Sequence, residues 1–244
     1  MVLHTDENGG APTTTDHVNT QEGAGESLTE VAYYRIRAMI LASELPIGGQ
    51  VSVNALAAVF GMSRSPVRSA VERLTSERLI ARTEGGATVA APSRHDLLDA
   101  LAVRAPLEGL AARSAAPHID DRALDRLTEI HSRFVAAVEA EDPATARRTD
   151  LEFHQAIQNM SANACLIDSL ERVQMQVILA AYSTAWTSSK RQAALEHSRI
   201  LEALVQQDGE TAERAAIRHI HNLTSRVLDE WKRSDTSRSP RSRV

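Results

Sequence analysis

The chain of 244 residues is short of three things, and each shortage removes a class of protein. It holds a single cysteine, Cys165, which excludes an intrachain disulfide and any thiolate cluster for a metal or redox couple. Set in an apolar stretch, Cys165 reads as packing filler rather than as a nucleophile. No apolar run approaches the roughly 18 residues a spanning helix needs, and the start is not a basic segment followed by an apolar one. Neither a membrane span nor a secretory signal is expected, and a cytoplasmic protein is. The third shortage is positive charge: the formal net charge is −5. Taken whole, that balance argues against a polyanionic partner.

Divided along the chain, the charge tells a different story. Residues 1–27 hold five acidic side chains and no basic one, 28–92 hold seven basic against five acidic, 93–233 hold 17 against 21, and 234–244 three against one. Hydrophobic residues at 43% and charged ones at 24% are ordinary for a globular protein, and the length allows two domains. Residues 1–27, rich in Thr, Gly, Asn and acids, read as a disordered segment. Residues 234–244 read as a basic disordered tail, with phosphate contact as a secondary possibility. What lies between divides at about residue 92. The surplus of basic residues in 28–92 is small, so any nucleic-acid affinity there depends on where a few arginines stand and on dimerisation.

The stretch Phe60 to Leu74 reads FGMSRSPVRSAVERL. In a helix, Arg64 and Arg68 share one face while Val67, Val71 and Leu74 form an apolar stripe on another. Ser63 fits the N-cap, and Pro66 costs little in a first turn whose N–H groups have no intrahelical partner. Before it, Asn54 to Phe60 makes a short apolar helix that Gly61 can end. After it, Leu79 to Arg82 and Ala87 to Ala90 flank Glu84-Gly85-Gly86 as a two-stranded hairpin. Helix, turn, helix and hairpin together make a winged helix-turn-helix.

These residues, with Tyr34-Arg35-Ile36-Arg37 through Leu45-Pro46-Ile47-Gly48 ahead of them, closely resemble the N-terminal domain of GntR-family transcriptional regulators over residues 28–92. The resemblance implies that Arg64 and Arg68 contact double-stranded operator DNA. It also implies that Ser63 and Ser65 touch phosphates, and that the wing with Arg82, Gly85 and Gly86 enters the minor groove. Arg35, Asn54 and Pro66 complete the expected surface. At two positions the chain departs from the family pattern: Gly85-Gly86 replaces a frequent Arg-Gly, and Asn54 stands where some relatives are basic. An arginine can pair bidentately with guanine, and a helix N-terminus favours phosphate.

From Ser93 the pattern changes to long helices. The first runs to about Ala115 with Leu97, Leu101, Leu107 and Leu110 on its apolar side and a kink at Pro106; others follow at 120–140, 143–160, 164–186, 189–207 and 209–233. The fold class is therefore mainly α, a small β-wing apart, with a C-terminal all-α bundle over 93–233. Asp150 and His154 stand at i and i+4, on one helix face, and His197 and His219 lie on two further helices. The spacing fits a solvated surface pair as well as metal ligands. Three imidazoles and a carboxylate suit Zn²⁺, Ni²⁺ or Fe²⁺, and Mn²⁺ less well.

Asp150 to His154, Asn163, Glu196 to Leu204 and Arg218 to Ile220 together resemble the FCD domain, the effector-binding domain of the FadR subfamily. That resemblance implies a divalent metal, zinc first, on Asp150, His154, His197 and His219. It further implies a homodimer and a small organic acid bound beside the ion. Arg104 matches an arginine of the family's first helix and fits either a fork on the effector carboxylate or an i, i+4 pair with Glu108. Asn163 and Tyr182 join it as effector contacts, and Met175, Leu179 and Trp186 are cavity candidates by helical spacing, although such a stripe is more often plain core. The leading function is a metabolite-responsive repressor, released by its effector through the 92–96 junction. Two alternatives are a metal-dependent hydrolase and a DNA-binding regulator whose metal is purely structural. Against the hydrolase, Glu152 should face away from the ligands, leaving no general base.

Overall fold

The computed structural model describes residues 27–183 and 190–238, with backbone only at Tyr182, Ser183, Lys190, Ser237 and Arg238. The chain opens with α1 (Leu28–Leu41), β1 (Gln50–Val51), α2 (Val53–Phe60), α3 (Arg64–Ser76), β2 (Ile80–Thr83) and β3 (Gly86–Val89). Local chemistry sets these boundaries. Ser27 and Ser52 accept hydrogen bonds from the backbone N–H groups of Glu30 and Ala55, capping α1 and α2. Gly61 ends α2 at φ 64°, a left-handed turn that costs glycine nothing and turns the chain into α3.

The α3 pattern holds as expected. Val67, Val71 and Leu74 are buried against Ile36, Leu56 and Phe60, while Arg64 and Arg68 are exposed. Ser63 stands at the N-cap with extended backbone, but its hydroxyl caps nothing. The hairpin is tighter and the sheet larger than the sequence suggests. Thr83 faces Gly86 across a two-residue turn, and β1 adds a third strand by pairing Gln50 with Thr88 and Val51 with Ala87, giving the order β1-β3-β2. A two-residue strand carries too little alternation to be read from sequence.

The second part consists of α4 (Arg94–Ala115), α5 (Asp121–Glu139), α6 (Pro143–Met160), α7 (Ala164–Ser183), α8 (Lys190–Val205) and α9 (Gly209–Arg238). Ser93 and Asp96 form a reciprocal capping box at the head of α4. The helix runs through Pro106 undivided, with that proline exposed. Leu110, expected inside, is 42% exposed. The buried stripe of α4 passes through Leu97, Leu101, Arg104 and Glu108, and Leu110 lies about 200° round from Glu108. Helix α9 continues to Arg238, five residues into the stretch read as tail.

Gly109 lets α4 and α9 close: a Cβ there would lie 2.6 Å from Cγ1 of Ile217. The two parts of the chain share a core as well. Met175 and Leu179 of α7 are buried in the cluster formed by α1, α2 and α3, Arg37 pairs with Glu171 at 3.2 Å, and Gln176 donates to the Glu77 carbonyl. Among the described residues no helix is long and apolar enough to cross a membrane.

Candidate functional site

Two surfaces collect the residues singled out above. On the first, Arg64 and Arg68 project from α3, and neither makes an ion pair among the described residues. Asn54 of α2, Arg68 and Arg82 of β2 edge one shallow depression beside Glu72, whose carboxylate is 4.0 Å from Arg82. Gly85 and Gly86 form the exposed wing tip, Gly86 at φ 117°. Ser63 and Ser65 are exposed at the α3 N-terminus, and Pro66 is half-buried as its third residue. Arg35 has a structural employment that sequence did not suggest. Its guanidinium lies 4.3 Å from the Phe60 ring centroid and donates to the Phe60 carbonyl, clamping α1 onto the end of α2.

The second surface is internal. His154 of α6, His197 of α8 and His219 of α9 bring one nitrogen each to within 4.8 Å of one another, and all three side chains are buried. The ring of His197 stacks on Phe153 at 4.4 Å, which fixes its orientation. Asp150, one turn before His154, places Oδ1 3.7 Å from His197 Nε2, within ionic reach but too long for a hydrogen bond.

Two buried glutamates that sequence reasoning passed over orient the other imidazoles. Glu108 Oε2 lies 3.3 Å from His154 Nδ1, and Glu196 Oε2 lies 2.8 Å from His219 Nδ1. Each Nδ1 is thereby occupied, which leaves Nε2 of both rings for the centre of the cluster. His154 Nε2 and both ring nitrogens of His197 have no hydrogen-bond partner among the described residues. Buried polar nitrogens without partners are uncommon, and their convergence here suits a bound cation.

The surroundings hold the carboxylates charged. Burial pushes Glu108 up, but His154 and Arg104 outweigh it and bring the carboxyl to about 2. Burial likewise opposes, and His219 with Arg226 overcomes it, at Glu196, also at about 2. Two of the imidazoles are pushed toward the neutral form: burial, then the neighbouring His219, lowers His197 well below its ordinary value. Burial lowers His219 too, against the pull of Glu196. Neutral imidazole is the form that binds metal.

A cavity of about 660 Å³ opens beside this cluster, lined in part by Asp150, His219, Arg104 and Gln174. Arg104 is 3% exposed and donates through Nε to Glu108 at 2.9 Å, so the helical pair exists. Its Nη2, with no partner among the described residues, remains available to a ligand. The other expected effector contacts fare differently. Asn163 is exposed outside the cavity lining and caps α7 by accepting from Leu166 N–H. Met175 and Leu179 belong to the shared core; α7 lines the cavity instead with Gln174, Val177, Ile178 and Ala181. The Tyr182 side chain and Trp186 lie outside the described residues. Glu152 turns outward to Arg133 and Arg148, as its spacing requires.

A winged helix-turn-helix joined to a helical domain with a buried histidine cluster and a cavity beside it is the build of a transcription regulator. Two family models match the chain: "Bacterial regulatory proteins, gntR family" over residues 28–89 and "FCD domain" over residues 99–222. The chain belongs to the GntR family, with an FCD domain as its helical part, and is a DNA-binding transcription regulator rather than an enzyme. It is similar to the probable D-xylose utilization operon transcriptional repressor of Paenarthrobacter nicotinovorans. They are 29% identical over 185 residues, covering 74% of this chain and 80% of the relative. The HTH-type transcriptional repressor RspR of Escherichia coli K12 is 25% identical over 213 residues, 86% of this chain and 93% of the relative. Among solved structures, E. coli McbR/YncC shares the fold with a TM-score of 0.70 at 22% identity, covering 84% of this chain and 99% of that one.

Proposed function

We propose that this regulator is a dimeric repressor whose grip on a pseudopalindromic operator is set by a small organic acid bound beside a divalent metal, zinc first, in the helical domain. The observation that carries the reading is the convergence of three buried imidazoles, two of them with Nδ1 engaged by a glutamate so that Nε2 is left free. His154, His197, His219 and Asp150 would hold the ion. When bound, the ion supplies a Lewis-acid anchor for a carboxylate.

Arg104, through Nη2, and Gln174 would receive the same carboxylate at the cavity floor. On the DNA side, Arg64 and Arg68 enter the major groove, with phosphates received by Ser63, Ser65 and the α3 N-terminus. Asn54, Arg82 and the Gly85-Gly86 tip follow the adjoining backbone and minor groove. Two copies are required to read two half-sites. The relatives named as repressors support the sign of the regulation.

The test combines metal analysis of the purified protein with gel shifts on its own promoter fragment, before and after chelation. Stoichiometric metal and a sequence-dependent, salt-sensitive shift that an organic acid weakens are expected. Protein without bound metal, or a shift indifferent to every acid, would overturn the reading.

A further inference from the structure

The cavity wall is not built by the helical domain alone. Helix α1 of the DNA-reading part contributes Ala38, Leu41 and Ala42 to it, and all three are apolar. Depth follows from exposure. His219 and Arg104, each 3% exposed, lie at the floor, whereas Ala38 and Ala42 are exposed and stand at the mouth. Val177, Ile178 and Leu223 line the cavity as well, so the polar floor gives way to apolar walls.

Given that this cavity is the effector site, we infer that the effector is a monocarboxylate with an extended apolar body. Its carboxylate sits on the floor and its body runs out against α1. A volume of about 660 Å³ is far more than acetate or succinate would fill, and falls within the roughly 300–1,000 Å³ of pockets for larger ligands. The hydroxyls of a sugar acid would lose water against Ala38, Leu41 and Ile178 without gaining hydrogen-bond partners there. Arg147 and Arg148 edge the other side of the mouth, but both are already engaged, Arg148 with Glu152 at 3.8 Å. A second anionic group would have to compete with those contacts.

The placement also says how the ligand reaches the DNA. Helix α1 is tied to the C-terminal end of α3 by the buried bond from Tyr33 Oη to the C-cap residue Glu77, 2.7 Å long. A body that touches α1 thus distinguishes one seating of the reading helix from another by direct contact, which is the differential affinity regulation requires.

The experiment is calorimetric titration of the full chain, as purified and after zinc loading, with butanoate, hexanoate, octanoate, octanedioate and gluconate. Affinity should rise about fourfold per added methylene from butanoate to octanoate. Octanedioate and gluconate should bind about tenfold more weakly than octanoate or worse, through the desolvation they impose. Ala38→Phe, at an exposed position, should move the preference toward shorter acids, and Ala42→Glu should weaken octanoate while sparing butanoate. Equal affinity for butanoate and octanoate, tighter binding of octanedioate, or an unchanged length profile in both variants would overturn the inference while leaving an acid-binding site in place. If no acid in the series binds, the effector reading falls with it.

Discussion

Glu196 and His219 are joined across α8 and α9 by a 2.8 Å hydrogen bond in which the carboxylate accepts from Nδ1, and the same carboxylate receives Arg226 and Asn222. Glu196, held by Arg226 and Asn222, thus settles which nitrogen of His219 faces the cluster. Glu196→Gln removes the charge and the fixed tautomer while keeping the volume. Metal affinity should fall about 10- to 100-fold, read by competition with a chromophoric chelator. Affinity equal to that of the parent would mean that the Glu196 charge does not tune the cluster.

Arg64 and Arg68 are exposed and make no ion pair among the described residues. Replacing either by alanine should leave the melting temperature unchanged and weaken operator binding by about 1–3 kcal/mol if it reads a base. If the contact is to phosphate, the loss should be uniform across sequences and the salt slope should fall by about one. Arg35→Ala should show the opposite balance, with a loss of stability of about 0.5–1 kcal/mol from the broken stack on Phe60. Gel shifts at fixed salt, beside thermal melts, separate the two behaviours.

Chelated protein should lose stability to acid in two stages. His197 and His219 have folded pKa values below the ordinary 6.5, so their contribution is complete above that pH and declines as the unfolded chain takes up protons below it. Glu108 and Glu196, held at about 2 against an ordinary 4.5, add stability present above pH 4.5 and lost on descent toward 2. Scanning calorimetry in a chelator should show the melting temperature falling first below pH 6.5 and again below 4.5. A flat profile across the first interval would contradict neutral His197 and His219 in the folded protein.

Gly109→Val would drive a side chain into Ile217, where even a Cβ lies at 2.6 Å. Overpacking of this kind costs about 1–3 kcal/mol. Because α9 also carries His219, the variant should lose metal affinity along with melting temperature. Stability lost with metal affinity intact would show that α9 re-seats without moving the cluster.

The DNA-reading part was largely legible because its signals are local: Gly61 needs a left-handed turn, and Val67, Val71 and Leu74 keep helical register. Asp150 and His154 were legible for the same reason, four residues apart on one face. Glu108 and Glu196 were not. An acidic residue near an arginine or a histidine on a helix reads as solvated surface, and only the packing of α4 on α6 and of α8 on α9 makes these two buried partners. Met175 and Leu179 proved to be core, the commoner fate of such a stripe, but which core was not legible. Their spacing identifies a buried face of α7 but not which neighbour buries it, and the neighbour is the other domain.

That last contact bears on where the chain can be cut. With Met175 and Leu179 completing the hydrophobic interior beneath α1 and α3, a fragment stopping at residue 92 would bare the apolar socket they plug. The reading head is therefore expected to melt earlier and clump more readily when severed than when tethered, so its folding and its seating on the helical body are one event.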